Sequence, residues 1–397
     1  MDLRTRLENE IEQELSTKRS ISLDHLLQMI ETGQAEEAAD ALIFFAAPSD
    51  LGQHLQTLTR MLDSRFAGGG PELRGYCLSF LSHLILGLNS LMTRWNLQNS
   101  ELHGNSALTR AQIKAEAQAR RNTLDRWESL APSAANGLLK EWQRQARARF
   151  TAEQAADPES LAAELVGASI GHYLDNMAAA VQRSHSAKMA ELLLDGHGRT
   201  ELGNDYAAFL KYTMYLGASF VTTNPVLVGI AWDADPDHWD PVMDELVSAN
   251  SEAGPEALAR LATLEVVLAN MRLLRPIFLL KKGSMGCVSL QVNPKRHGEA
   301  DAMIADATAI YQDLRARLEG GVPNVVFKLP GTLAGLEACR TLTAQGIGVN
   351  ITVNFGLFQQ LPFAEAIHNG QAIISTVTEM NGRLAYPVRD ELLEKLP

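Results

Sequence analysis

The chain has 397 residues, of which 46% are hydrophobic and 21% charged, so it can form folded domains and is not expected to be intrinsically disordered. Its formal net charge of −12 has the wrong sign for a basic surface that binds nucleic acid or anionic lipid. The three cysteines lie far apart and lack zinc-ligand spacing, and we find no apolar run long enough for a signal peptide or membrane span. These features predict a cytoplasmic protein without a metal site.

Residues 1–185 are predicted to form an all-helical domain of unknown role, because apolar residues recur there at intervals of three and four. One such stripe covers Leu23–Ile30, and Ser22 before it is a candidate N-cap. The Gly-Gly-Gly-Pro run at 68–71 predicts a break between helices, and the polar run at 98–109 predicts a loop.

Residues 186–397 are predicted to form an α/β domain, either a β/α barrel or a doubly wound sheet, because short strand-like runs alternate there with helical patterns such as 300–318 and 333–344. Of the two, we favour the (β/α)8 TIM-barrel type. The predicted strands are 190–195, 218–224, 287–293, 325–330, 348–354 and 372–377. Two βα units of an eight-stranded barrel are then missing at the C-terminus. We expect either that the chain is cut, or that a second chain or the helical half covers the gap.

Polar side chains recur on these strands, although strands buried on both faces should be almost continuously apolar. By the period of two, Asn354 shares a face with Asn350 and Thr352. Near the carboxyl ends of their strands, six residues are predicted to point into one interior: Asp195, Asn224, Gln291, Lys328, Asn350 and Thr352. A lysine desolvated there favours its neutral amine, a nucleophile toward carbonyl groups. The alternative is that each is a hydrogen-bonded interior residue without a catalytic role.

Four segments in this order resemble the transaldolase family of Schiff-base class I aldolases: 221–225 (VTTNP), 286–294 (GCVSLQVNP), 326–332 (VFKLPGT) and 346–355 (GIGVNITVNF). The resemblance covers about residues 188–390 and implies that Lys328 forms an imine with a ketose while Asp195 acts as the general acid/base. It further implies that Asn224, Asn350 and Thr352 hold substrate hydroxyls and the catalytic water. Ser375 and Arg383 would hold the substrate phosphate.

The resemblance implies transfer of a dihydroxyacetone unit from a ketose phosphate to an aldose phosphate, in the pentose phosphate pathway, without a metal or organic cofactor. Gln291, a further predicted catalytic-site residue, stands where transaldolases usually have a glutamate. It can orient a water, but it cannot donate and accept a proton as a carboxylate does. The family's fructose-6-phosphate aldolase branch resembles the chain in this glutamine, so a lyase is an alternative. A third possibility is a catalytically degenerate barrel that acts as a binding or assembly scaffold. Expected partners are a sugar phosphate and either a second copy or a second chain that completes the barrel.

Overall fold

The chain divides into two compact units in the structure, a computed structural model. The described residues are 3–16, 21–46, 50–90, 108–152, 154–205 and 207–396. The described parts of 15–202 and 214–217 make up a helical unit, and those of 1–14, 203–213 and 218–397 make up a sheet unit.

The helical unit is built from amphipathic helices whose apolar stripes are buried. Its helices are α2 (Leu23–Glu31), α3 (Ala35–Phe45), α4 (Leu51–Gly68), α5 (Pro71–Leu88), α6 (Arg110–Leu130), α7 (Pro132–Ala152), α8 (Pro158–Val166), α9 (Ile170–Arg183) and α10 (His185–Leu194). The predicted N-cap is confirmed, since the Ser22 hydroxyl accepts a hydrogen bond from the His25 backbone N–H at 3.3 Å. The predicted break at 68–71 is also confirmed, whereas most of the predicted loop at 98–109 lies outside the described residues.

The strand predicted at 190–195 is wrong, because these residues form the end of helix α10 and its C-cap. Ala187, Ala190 and Leu194 are buried at helical spacing, while Leu192 between them is 51% exposed. The short apolar run around Leu192 fits a helix as well as a strand, and only the burial pattern separates the two.

The described residues of the sheet unit contain one six-stranded sheet, whose strand order follows the chain. Its strands are β1 (Leu202–Asn204), β2 (Ala218–Thr222), β3 (Cys287–Gln291), β4 (Val325–Pro330), β5 (Val349–Asn354) and β6 (Thr376–Glu379). Strands β2 to β6 pair in parallel with their neighbours. Sequential parallel strands joined by helices are the arrangement found in part of a β/α barrel.

The predicted strands after 190–195 are found in the sheet with altered ends. Strand β4 has the predicted bounds, while β2 and β3 each end two residues earlier than predicted. Strand β5 begins one residue later, and β6 begins four residues later than predicted. Strand β1 was not predicted, because three residues with a central glycine are too short to show a period of two.

Helices connect the strands and bury the outer face of the sheet. The α-helices with residues in this unit are α1 (Leu3–Ser16), α11 (Leu210–Tyr215), α12 (Pro225–Ala234), α13 (Pro236–Ala249), α14 (Pro255–Leu280), α15 (Ala300–Arg317), α16 (Leu333–Ala344), α17 (Leu357–His368) and α18 (Asn381–Lys395). Short 3₁₀ turns span Ala207–Phe209 and Pro294–Arg296. The helical patterns predicted at 300–318 and 333–344 are confirmed by α15 and α16.

Most of helix α1 belongs to the sheet unit, although 185 residues of chain, 17–201, separate it from β1. Leu7 is only 2% exposed there. The Glu10 carboxylate accepts a hydrogen bond from the Val322 backbone N–H at 2.8 Å and forms an ion pair with the buried Arg275. The first helix is therefore a structural part of the β/α unit.

Across the described parts of the chain, none of the helices has both the length and the apolar character that crossing a membrane requires.

Candidate active site

Three of the predicted site residues lie side by side on neighbouring strands. Gln291 on β3 is in register with Lys328 on β4, and Lys328 is in register with Asn350 on β5. Residues in register on adjacent strands, about 4.8 Å apart, share one face of the sheet. Thr352, two residues after Asn350, lies on the same face and closer to the carboxyl end. These four residues form a polar row, which we call the lysine row.

Asn350 is fixed within this row by hydrogen bonds from both sides. Its side-chain NH2 donates to the Ser289 hydroxyl at 2.9 Å, and its carbonyl accepts from the Thr378 hydroxyl at 2.7 Å. Asn350 is 1% exposed, so these bonds satisfy an amide that would otherwise be costly to bury. Thr378 was not identified from the sequence.

Lys328 is partly buried, and its surroundings favour the neutral amine. Burial is the largest influence and lowers the pKa of the ammonium group below its usual value. The positive charge of Arg383 lowers this pKa further, whereas the negative charge of Asp205 raises it. Lys328 thus lies within electrostatic range of an acidic and a basic side chain.

Asp205 is an acidic residue near Lys328 that the sequence analysis did not consider. It directly follows β1, and its carboxylate accepts a hydrogen bond from the Thr222 hydroxyl at the end of β2, at 2.5 Å. It is also ten residues closer along the chain to Asn224 than Asp195 is. That shorter connection was the signal that could have identified it.

Asp195 has no place on the sheet. It caps the C-terminus of α10 in the helical unit and forms an ion pair with Arg110 at 2.7 Å. The role predicted for Asp195 depended on a strand end, and the structure shows a helix end there instead.

Asn224 lies two residues beyond the end of β2, rather than at the last position of the strand as predicted, and is the N-cap of α12. Its side-chain oxygen accepts a hydrogen bond from the Leu227 backbone N–H at 3.0 Å. This bond fixes the side chain at the carboxyl end of the sheet, with its NH2 group left for another partner.

Ser375 and Arg383 are not brought together. Ser375 precedes β6, and its hydroxyl accepts a hydrogen bond from the Val349 backbone N–H at the start of β5, at 3.1 Å. Arg383 follows β6, whose four residues extend about 13 Å. Only Arg383 therefore lies at the end of the sheet where the chain leaves β6, and the predicted phosphate pair is separated.

The end of β5 carries a bulge that changes the predicted pattern of faces. Val353 has a φ of 55°, and two residues of β5, Thr352 and Val353, occupy the place opposite a single residue of β6. The extra residue reverses the alternation beyond it, so Asn354 does not follow Asn350 and Thr352 as predicted. Asn354 is fully buried, and neither of its amide atoms has a hydrogen-bond partner among the described residues.

Other chemistries find little support in the part of the chain that the structure describes. No three His, Cys, Asp or Glu side chains are grouped there as a metal site would require. Cys77, Cys287 and Cys339 are buried and form no disulfide among the described residues. Burial raises the pKa of Cys77 to about 12 and that of Cys339 to about 11, so neither thiol is activated as a nucleophile.

The sheet unit has the sequential parallel strands of a β/α protein, and a partly buried lysine lies on one face of that sheet between two amide side chains. Residues 194–377 match the transaldolase/fructose-6-phosphate aldolase family, and the predicted resemblance to transaldolases is thereby confirmed for this part of the chain.

Individual relatives agree with this match. The transaldolase of Acidothermus cellulolyticus is 30% identical over 172 residues, 43% of each chain, and that of an Arthrobacter species is 31% identical over 150 residues, 38% of each chain. The transaldolase of Thermobifida fusca is 28% identical over 194 residues, 49% of this chain and 44% of its own. The chain thus spans less than half the length of each of these relatives.

Proposed function

We propose that this protein transfers a dihydroxyacetone unit from a ketose phosphate to an aldose phosphate through an imine on Lys328. The observation that carries the proposal is the lysine row, in which a lysine with a lowered pKa lies in register with Gln291 and Asn350. A neutral amine inside a polar row is what imine formation with a ketose requires. The relatives named transaldolase support the same assignment.

In the proposed reaction the neutral Lys328 amine attacks the ketose carbonyl carbon, and the resulting carbinolamine loses water to give an iminium ion. A carboxylate then takes the proton of the hydroxyl next to the breaking C–C bond. The aldehyde leaves as the electron pair of the broken C–C bond forms the C=C bond of an enamine and the C=N π pair moves onto the nitrogen. We assign the proton transfer to Asp205 rather than Asp195, because Asp205 lies at the end of β1 and its charge acts on Lys328.

The other site residues receive binding roles. The NH2 group of Asn224 and the Thr352 hydroxyl are suited to substrate hydroxyls or the catalytic water. Asn350 has both amide atoms engaged by Ser289 and Thr378, so we assign it to shaping the row. Arg383 is suited to the substrate phosphate. Ser375 keeps the predicted phosphate role only if the loop before β6 rearranges.

Fructose-6-phosphate aldolase-type lyase chemistry is the second candidate, and Gln291 is the observation that favours it. The lyase protonates and hydrolyses the enamine, whereas the transferase keeps it until an acceptor aldehyde arrives. A catalytically degenerate scaffold remains the third possibility, with the helical domain as the binding module. Either enzyme would act on sugar phosphates in cytoplasmic carbohydrate metabolism.

We further propose that a second copy of this chain, or a different chain, covers the edge of the sheet formed by β6. Strand β6 is an edge strand among the described residues. Helix α18, which follows it, exposes Leu384, Val388 and Leu392, spaced four residues apart. Both features are consistent with a partner on this side.

Borohydride trapping tests the proposed chemistry. The protein is incubated with fructose 6-phosphate, reduced and digested, and the adduct is located by mass spectrometry. We expect a three-carbon adduct on Lys328, none in Lys328→Met, and normal labelling in Lys295→Met, which replaces an exposed lysine of the same unit. An acceptor aldose phosphate then separates transferase from lyase. No adduct on Lys328, under conditions that label a control aldolase, would favour the scaffold.

A further inference from the structure

Val353 is the most strained residue next to the lysine row. A φ of 55° lies in the left-handed region, which a β-branched residue very rarely adopts. Such strain persists only where surrounding contacts hold it, and it concentrates at functional sites. The residue before it is Thr352, whose hydroxyl lies on the face of Lys328.

Side chains satisfy both backbone groups of Val353. Its N–H donates to the Met380 sulfur at 3.2 Å, and its carbonyl accepts from the Gln359 side-chain NH2 at 3.0 Å. The Thr352 hydroxyl also donates to the Met380 sulfur, at 3.4 Å. The bulge is thus held by one side chain from the end of β6 and one from α17.

Gln359 also joins the loops that follow the two central strands. Its NH2 group donates to the Gly331 carbonyl at 2.7 Å, and its oxygen accepts from the Phe355 backbone N–H at 3.0 Å. Gly331 in turn donates its N–H to the Thr352 carbonyl at 2.7 Å. One amide side chain therefore ties the end of β4, which carries Lys328, to the end of β5, which carries Thr352.

The geometry points to Gln359 and Met380 as positioning residues that hold the strained bulge and so fix the Thr352 hydroxyl beside Lys328. This inference rests on the proposed function, since it gives the bulge a part in imine chemistry. Neither residue is assigned a contact with the reacting carbon. The steps that depend on them are those in which water leaves or attacks the imine carbon, because Thr352 is the hydroxyl assigned to that water.

The test uses Gln359→Leu with Gln360→Leu as its matched control, since Gln360 is the next residue of α17 and makes none of the three bonds. In Gln359→Leu we expect faster amide hydrogen exchange in a peptide covering 352–356. We also expect trapping of dihydroxyacetone on Lys328 to slow by about tenfold or more, with KM for the sugar little changed. The control should match the wild-type protein in all three measurements.

Rescue separates positioning from a general loss of structure. Adding Val353→Gly to Gln359→Leu removes the steric strain, because glycine has no Cβ to disfavour a φ of 55°. It should restore both slow exchange and fast trapping. The inference would be overturned if exchange or trapping in Gln359→Leu equalled that of the control. It would also be overturned if the double variant kept the fast exchange and slow trapping of Gln359→Leu. If the wild-type protein forms no adduct, the proposed function fails, and the exchange comparison alone decides whether Gln359 holds the bulge.

Discussion

The protonation state of Lys328 is set by burial and by two charged neighbours. Burial and Arg383 lower the pKa of its ammonium group, and Asp205 raises it. The proposed reaction needs the neutral amine, so imine formation should increase with pH until the pH exceeds this lowered pKa. The midpoint of that profile is therefore expected below the pH at which an ordinary lysine loses its proton.

Replacing Arg383 by Gln should move this profile to higher pH. The substitution removes a positive charge that disfavours the ammonium form, so the pKa of Lys328 rises and less neutral amine is present near pH 7. The measurement is the initial rate of adduct formation on Lys328, with dihydroxyacetone as a donor that lacks phosphate, between pH 6 and pH 10.

Arg389→Gln is the control for this experiment. Arg389 lies further along α18, pairs with the neighbouring Asp390, and does not contribute to the pKa of Lys328. Asp205→Asn should move the midpoint in the opposite direction, toward lower pH. Equal midpoints for Arg383→Gln and Arg389→Gln would show that Arg383 does not act on the lysine.

Strand β4, which carries Lys328, and the helix α16 that follows it are the elements that the local sequence pattern predicts best. The apolar run that contains Lys328 predicted β4 with its observed bounds, and the period of α16 gave Leu333–Ala344. Thr332 caps the helix, since its hydroxyl accepts from the Gly335 backbone N–H at 3.1 Å. The short connection holds the helix against the end of the strand.

Gly335→Ala should be strongly destabilising, although alanine normally favours a helix. A Cβ at Gly335 would lie 1.9 Å from the Pro330 carbonyl oxygen, so α16 would have to move away from the strand that carries Lys328. We expect a loss of about 2 kcal/mol or more in the free energy of unfolding, measured by urea titration.

Gly229→Ala in α12 is the matched substitution, because a Cβ there meets no atom within 4 Å. It should stabilise the protein by up to about 1 kcal/mol, the usual difference between the two residues in a helix. The same sign for both variants would contradict the close approach of α16 and β4.

At the scale of the whole molecule, the sheet unit includes helix α1, which lies near the N-terminus and far along the chain from the strands. The Arg275 side chain is 8% exposed, and Glu10 of α1 supplies its carboxylate partner. Arg275 also donates to the Val322 carbonyl at 2.5 Å, and the Val322 N–H donates to Glu10. This closed set of bonds fixes α1 on the segment that leads into β4.

Glu10→Gln should destabilise the protein by on the order of 3 kcal/mol, because it leaves the buried Arg275 charge without its partner. Glu8→Gln, an exposed position of the same helix, should change the free energy of unfolding by less than about 0.5 kcal/mol. Urea unfolding of both variants, followed by circular dichroism, makes the comparison. If they unfold at the same urea concentration, the contact of α1 with Arg275 does not stabilise the unit.

The sequence predicted those features that depend on neighbouring residues. Apolar periodicity and capping residues located β4, α15, α16 and the cap at Ser22, and the polar residues at alternate strand positions identified Lys328, Gln291 and Asn350. These signals are local, because strand and helix geometry fix which nearby side chains share a face.

Only the tertiary structure reveals the contacts between distant segments and the irregularities that depend on packing. The run before Asp195 is a helix because burial of Ala187, Ala190 and Leu194 outweighs strand propensity, and the carboxylate near Lys328 is consequently Asp205. The bulge at Val353 requires Gln359 and Met380, which no local pattern associates with it. Such contacts are chosen by the free energy of packing the whole unit, to which a window of neighbouring residues contributes only a part.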